Sequence, residues 1–185
     1  MKKNVVVGLG EIGYPILKLL SKKQPTVGYD INKGLMNNSK FKTLLNTPTS
    51  FLHVAIPVTS KFDSNILQLY KKFKPECIVI HSTISPGTTE RIQKKLSIPV
   101  IYSATRGVHK RMIYDLKRYT KFFVISPNAP RGKWASSRYV KLMKHCGIKT
   151  KKMSKPETLE LGKILCDTSY LGWLINYAQL TNMIA

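Results

Sequence analysis

The sequence predicts an α/β fold: a doubly wound, mainly parallel sheet followed by one long C-terminal helix. Three observations predict it. Short β-branched runs alternate with amphipathic stretches along most of the chain. Runs such as Val5-Val6-Val7 and Ile78-Val79-Ile80 are apolar at every position, as in strands covered on both faces. The last stretch, from Pro156 onward, is mostly apolar and reads as one long helix.

In chain order, apolar β-branched runs place strands at 4–7, 26–29, 51–56, 77–81, 100–103 and 122–125. Amphipathic stretches place helices at 11–22, 60–73, 87–96 and 133–145. A short strand near 148–151 then leads into the helix that starts at Pro156. Strands separated by helices pair in parallel, because parallel neighbours need a crossover connection.

Composition narrows the class. The chain has 185 residues, with 31 Lys+Arg against 9 Asp+Glu and a formal charge of +22. At 43% hydrophobic and 22% charged it is too apolar for a disordered polycation. Cys77, Cys146 and Cys166 show no CxxC spacing, and their odd number excludes a fully paired disulfide framework. Neither they nor His53, His81, His109 and His145 have metal-ligand spacing, so no metal is expected. The N-terminus runs from Met1-Lys2-Lys3 straight into a strand and makes a poor signal peptide. A reduced, cytoplasmic protein is the expectation.

The charge favours anionic partners, nucleic acid among them, through an attraction that salt screens. Its cations are scattered, most of them near helix ends, which a solvated lysine-rich surface explains as well. No nucleic-acid-binding motif accompanies them. Residues 168–185 carry no charge, but Thr168, Ser169, Asn176, Gln179, Thr181 and Asn182 recur there, and a membrane span is not expected. A helix apolar on most sides needs a cover. Leu165, Tyr170, Leu171, Trp173, Leu174 and Tyr177 are candidates for a core shared with a second copy, hence a homodimer.

Gly8-Leu9-Gly10-Glu11-Ile12-Gly13 follows the first strand and opens the first helix. A dinucleotide site needs that pattern: Gly8 for the tight turn, Gly10 for close approach to the pyrophosphate, Gly13 for packing helix on strand. The helix N-terminus then faces the phosphates. Asp30 follows Gly10 by 20 residues, at the end of the second strand, where a carboxylate accepts from ribose hydroxyls. Its charge repels a 2′-phosphate, which favours NAD over NADP, while Lys33 lies close enough in sequence to reach such a phosphate. The reading is a Rossmann-type NAD-binding unit over residues 1–153, with 154–185 as a separate long helix.

Val5–Gly13 together with Gly28-Tyr29-Asp30-Ile31 resembles the opening of the UDP-glucose/GDP-mannose dehydrogenase family, related to the 6-phosphogluconate and β-hydroxyacid dehydrogenases. Ala55-Ile56-Pro57-Val58-Thr59 is similar to its segment lying against the cofactor. His81-Ser82-Thr83-Ile84-Ser85-Pro86-Gly87-Thr88-Thr89 matches its Ser-Thr-Val-x-Pro-Gly-Thr-Thr signature. The resemblance runs from residue 3 to the end and covers the N-terminal half of a complete member.

That resemblance implies NAD as cofactor, held by Gly8, Gly10, Glu11, Ile12, Gly13, Asp30, Pro57, Val58, Thr59, Ser82 and Thr83. It gives Thr83 contact with the reacting centre, and it makes Lys163 the stabiliser of the developing oxyanion. Asp167 stands where the family has an asparagine that positions substrate and water. Spacing of i, i+4 puts Lys163 and Asp167 on one helix face, which a plain intrahelical ion pair would equally explain. Tyr102-Ser103-Ala104-Thr105-Arg106 occupies the place of a Ser-Pro-Glu-Arg-like segment. Thr105 replaces its glutamate, and a hydroxyl cannot serve as a carboxylate base. Arg106 is either a substrate ligand or a surface cation. Cys166 reads as a buried structural thiol, since the family's nucleophilic cysteine lies beyond this chain's end. His81 faces away from Ser82 on its strand and is not expected to act as a base.

The resemblance implies a nucleotide sugar or other small anionic substrate. The chain is expected to be incomplete for four-electron oxidation. Single hydride transfer as in β-hydroxyacid dehydrogenases, or a non-enzymatic dinucleotide- or nucleic-acid-binding role, are the alternatives.

Overall fold

The computed structural model describes residues 1–184; within them, the side chains at 109, 170, 171, 174, 175, 177, 178, 180, 183 and 184 lie outside the description. Four of the helix residues expected in a shared core, Tyr170, Leu171, Leu174 and Tyr177, are among these.

Seven strands form one sheet in the order β2-β1-β3-β4-β5-β6-β7. They are β1 Lys3–Val7, β2 Thr26–Tyr29, β3 Thr49–Val54, β4 Cys77–Ile80, β5 Val100–Tyr102, β6 Lys121–Ile125 and β7 Thr150–Lys152. The helices are α1 Gly13–Leu20, α2 Asn38–Thr43, α3 Phe62–Phe73, α4 Thr88–Gln93, α5 Met112–Arg118, α6 Gly132–His145 and α7 Pro156–Ile184. The doubly wound architecture and the long last helix are as the sequence predicts.

The reason lies in alternation within each strand. Val6, Phe51, Val79, Ile101 and Phe123 point to one face, where they form a core with Ile16, Leu19 and Leu20 of α1 and Tyr139 and Leu142 of α6. Val5, Val7, Leu52, Ile78 and Ile80 point to the other, against Phe62 and Ile66 of α3 and Ile92 of α4. The central strands β1, β3 and β4 are buried at every position, so neither side of them faces solvent.

Two features depart from the sequence reading. First, β6 pairs antiparallel with β5, and β7 parallel with β6, so the last two strands run against the first five. The chain between β5 and β6 does not cross the sheet; α5 packs on one face and Lys121 returns beside Ala104 and Thr105. Second, α2 and α5 were not anticipated. Each is under two turns long, too short for a 3.6-residue period to register. α2 depends on its ends: Asn37 Oδ1 accepts from Lys40 N–H. Beyond α2, the buried ammonium of Lys3 donates to the carbonyls of Leu44, Leu45 and Thr47, as cations do near helix C-termini.

Helix α7 begins by docking on α4. The Glu160 carboxylate, fully buried, accepts from Gly87 N–H (2.7 Å), Thr89 N–H (2.8 Å) and the Thr89 hydroxyl (2.6 Å). Further along, Leu161, Leu165 and Trp173 are exposed. Among the described residues, no helix is long and apolar enough to cross a membrane.

Candidate functional site

The strand order reverses between β1 and β3, since β1 leads to β2 on one side and β3 lies on the other. Crevices at the carboxyl ends of strands beside such a reversal are where open α/β sheets bind ligands. A cavity of about 980 Å³ lies there. It is lined by Gly8 and Gly10 after β1, Asp30 after β2, Ala55–Thr59 after β3, and Ser82 and Thr83 after β4.

The glycine loop has the shape its sequence implies. Gly8 has φ +84°, and a Cβ there would strike the Ala55 carbonyl. Gly13 packs so closely that a Cβ would fall on the Gly8 carbonyl oxygen. At Gly10 a Cβ would meet nothing within 4 Å; that side of the loop is open and forms part of the cavity wall. The two outer glycines are required by packing, whereas the middle one leaves space for a ligand. A pyrophosphate fits that space, beside the N-terminal end of α1.

Asp30 closes the far side. Its Oδ2 accepts from Leu9 N–H (2.6 Å) and its Oδ1 from Asn32 N–H (2.8 Å). Each carboxylate oxygen has a second lone pair, so both remain able to accept from a ribose diol. Glu11, Ile12, Pro57, Val58 and Thr59 also line the cavity, while Gly13 sits behind the loop. The Ser82 hydroxyl donates to the Ile56 carbonyl (2.6 Å), tying the ends of β3 and β4 together. Lys33, in a short 3-10 turn, is not among the lining residues.

Sequence reasoning missed one wall. Asn65, Gln68, Leu69 and Lys72 of α3 line the cavity next to Tyr29. The Lys72 ammonium donates to the Tyr29 hydroxyl (2.6 Å) and lies 3.8 Å from the ring centroid. The signal was present: positions 65, 68, 69 and 72 share one helix face.

At the other end the three expected catalytic residues meet. Lys163 donates to both Asp167 oxygens, and the Thr83 hydroxyl lies 3.5 Å from Asp167 Oδ2. Thr83 belongs to the first cavity and Lys163 to a second, of about 480 Å³, between the start of β6 and α7. Arg106 is in the wall of the second, exposed, with its guanidinium 5.2 Å from the Tyr119 ring centre. Cys166 is half-buried and lines the same cavity, which corrects the expectation of a buried thiol; α7 turns that side toward β6 rather than into a core.

Behind the site lies a polar core. His81 Nδ1 is 2.9 Å from the Ser103 carbonyl, which only accepts, so Nδ1 carries the proton. His81 Nε2 is then the acceptor for His53 Nδ1–H at 3.0 Å. Burial, and next the charge of Lys121, push His53 down to about 3, and burial holds His81 well below the ordinary imidazole range. Both rings are neutral and buried, and His81 does not reach the cleft.

Solved structures place this architecture. A UDP-D-ManNAc dehydrogenase from Pyrococcus horikoshii superposes with TM-score 0.72 at 18% identity, over 91% of this chain and 50% of that one. The chain has that fold. A UDP-N-acetyl-mannosamine dehydrogenase from Staphylococcus aureus gives 0.67 at 16% identity, over 91% and 51%. A prephenate dehydrogenase from A. aeolicus, solved with hydroxyphenyl propionate and NAD+, gives 0.67 at 16%, over 100% and 70%. The chain therefore spans about half the length of the two sugar-nucleotide dehydrogenases. No family model and no curated protein sequence matches it.

Proposed function

We propose that this chain is the NAD-binding unit of a cytoplasmic dehydrogenase acting on a CH–OH group, resembling nucleotide-sugar 6-dehydrogenases. The observation that carries the reading is the meeting of Thr83, Lys163 and Asp167 at the edge of a cavity whose glycine loop is open at Gly10. Bound NAD would supply the hydride acceptor. The open loop and α1 would hold its pyrophosphate, and Asp30 its adenosine ribose.

The chain's own residues then divide the work. Lys163 would set an ammonium against the substrate oxygen, stabilising the negative charge that builds as the hydroxyl proton passes to water and that is discharged when hydride leaves for bound NAD. Asp167 fixes that ammonium and, through Thr83, ties α7 to the end of β4. Thr105 is 5% exposed and accepts from Lys121, so it neither removes a proton nor replaces a carboxylate. The substrate we favour is a nucleotide sugar or another small anion approaching past Arg106.

The test is a fluorescence titration of the purified chain with NADH and NADPH. NADH should bind more tightly, and Asp30→Asn, which removes the charge but keeps an acceptor, should narrow the difference. Equal or tighter NADPH binding by the unaltered chain rules the NAD reading out.

A further inference from the structure

The second cavity has a floor that the dehydrogenase reading does not use. Its walls are largely apolar, from Leu116, Tyr119, Phe122, Met153 and Leu159. Lys121 stands among them, 6% exposed. Because β6 runs against β5, its first residue lies at the end of the sheet where the parallel strands finish. The Lys121 ammonium donates to the Ala104 carbonyl (2.9 Å) and the Thr105 hydroxyl (2.9 Å). An ammonium has three donors, and these two acceptors leave one to face the cavity. Both acceptors are neutral.

Among the described residues no carboxylate pairs with Lys121. Asp115, in the cavity wall, is held through Oδ2 alone by Val108 N–H (2.9 Å) and Arg111 (3.2 Å), and its buried Oδ1 has no partner. Asp167 is taken by Lys163 of α7. Arg106 lies over Tyr119, and His53 and His81 behind are neutral. Burial, and then the charge of Lys163, bring Lys121 down to about 7. A buried amine in apolar surroundings without a counter-charge is costly. A ligand anion would relieve that cost.

We propose that this pocket receives the carboxylate of a small, mostly apolar molecule, with Lys121 as the group that binds it. One buried cation neutralises one negative charge. A phosphate dianion would leave a second charge in apolar surroundings, which disfavours it. The volume, about 480 Å³, is that of a small-molecule site. That the bound molecule is also the substrate rests on the dehydrogenase reading, because Lys163 lines this pocket and pairs with Asp167, which the Thr83 hydroxyl of the first cavity approaches; the binding itself does not.

The experiment is calorimetry of the chain with 3-phenylpropionate and with its uncharged isostere 3-phenylpropionamide, at pH 8.5 and pH 6, in buffers of different ionisation enthalpy. Above its pKa, Lys121 is neutral and must gain a proton to bind a carboxylate. The carboxylate should bind about tenfold or more tightly than the amide. Uptake should approach one proton at pH 8.5 and fall away at pH 6. Lys121→Met should lose that preference while NADH affinity, monitored alongside, is unchanged. Equal affinity for the two probes, absence of carboxylate binding, or binding without proton uptake at pH 8.5 overturns the proposal; the last puts the anion on Arg106 or Lys163. If Lys121→Met fails to fold, the probe pair and proton count on the unaltered chain decide. Carboxylate binding without NADH binding counts against the dehydrogenase reading alone.

Discussion

Glu160 shows how one side chain joins two elements into a site. Its carboxylate satisfies two backbone N–H groups and a hydroxyl at the start of α4, and so fixes the height of α7 against β4. Three residues later comes Lys163, whose position relative to Thr83 depends on that anchor. Glu160→Ala strands those donors and should cost about 2–4 kcal/mol in urea unfolding. Glu160→Gln, which keeps one acceptor oxygen, should cost less than half as much. An Ala variant as stable as the parent would show that α7 is held by its apolar contacts. The role of Glu160 was not legible in the sequence. A carboxylate capping a helix 71 residues away leaves no local signal.

At the scale of elements, the strands at the cleft were the most readable part. All-apolar β-branched runs mark β1 and β4, and the glycine spacing marks the turn into α1. What escaped has different causes: long-range pairing sets the reversed direction of β6 and β7, α2 and α5 are too short for a helical period to register, and the α3 wall with Lys72 lies on one helix face that the sequence does carry. The stacked pair His53 and His81 joins β3 to β4 and gives the sheet a pH response. In the unfolded chain each imidazole gains a proton near pH 6.5; in the fold both stay neutral well below that. The unfolded state thus binds more protons in that window, and stability falls as pH drops below about 6.5. Urea midpoints measured between pH 7.5 and 5, where carboxylates remain ionised, should decline. A flat profile would mean the imidazoles are charged or solvated in the folded chain.

For the molecule as a whole, two expectations follow from what the fold leaves open. Leu161, Leu165 and Trp173 lie exposed on α7 beyond its anchor, and covering such side chains contributes about 1.5–3 kcal/mol each. That outweighs repulsion between two +22 chains at physiological salt, where the Debye length is about 8 Å. Sedimentation should therefore show a homodimer at tens of micromolar that Trp173→Asp weakens. A parent chain that stays monomeric without aggregating would mean a different cover. The second expectation concerns chemistry. Given UDP-glucose, GDP-mannose or a UDP-N-acetyl sugar, the chain should not form two NADH per sugar, because Thr105 supplies no carboxylate base. Robust double turnover would refute that division of labour.

The proposed function depends on the cleft at β1 and β3 being a dinucleotide site, and Gly10 tests this most directly. A Cβ there meets no protein atom within 4 Å, so Gly10→Val should leave the fold intact, whereas Gly13→Ala, driven into the Gly8 carbonyl, should destabilise it. The measurement is NADH affinity of Gly10→Val beside its melting temperature. The account predicts an unchanged melting temperature with affinity reduced about tenfold or more. A stable Gly10→Val variant that binds NADH as well as the parent would contradict it.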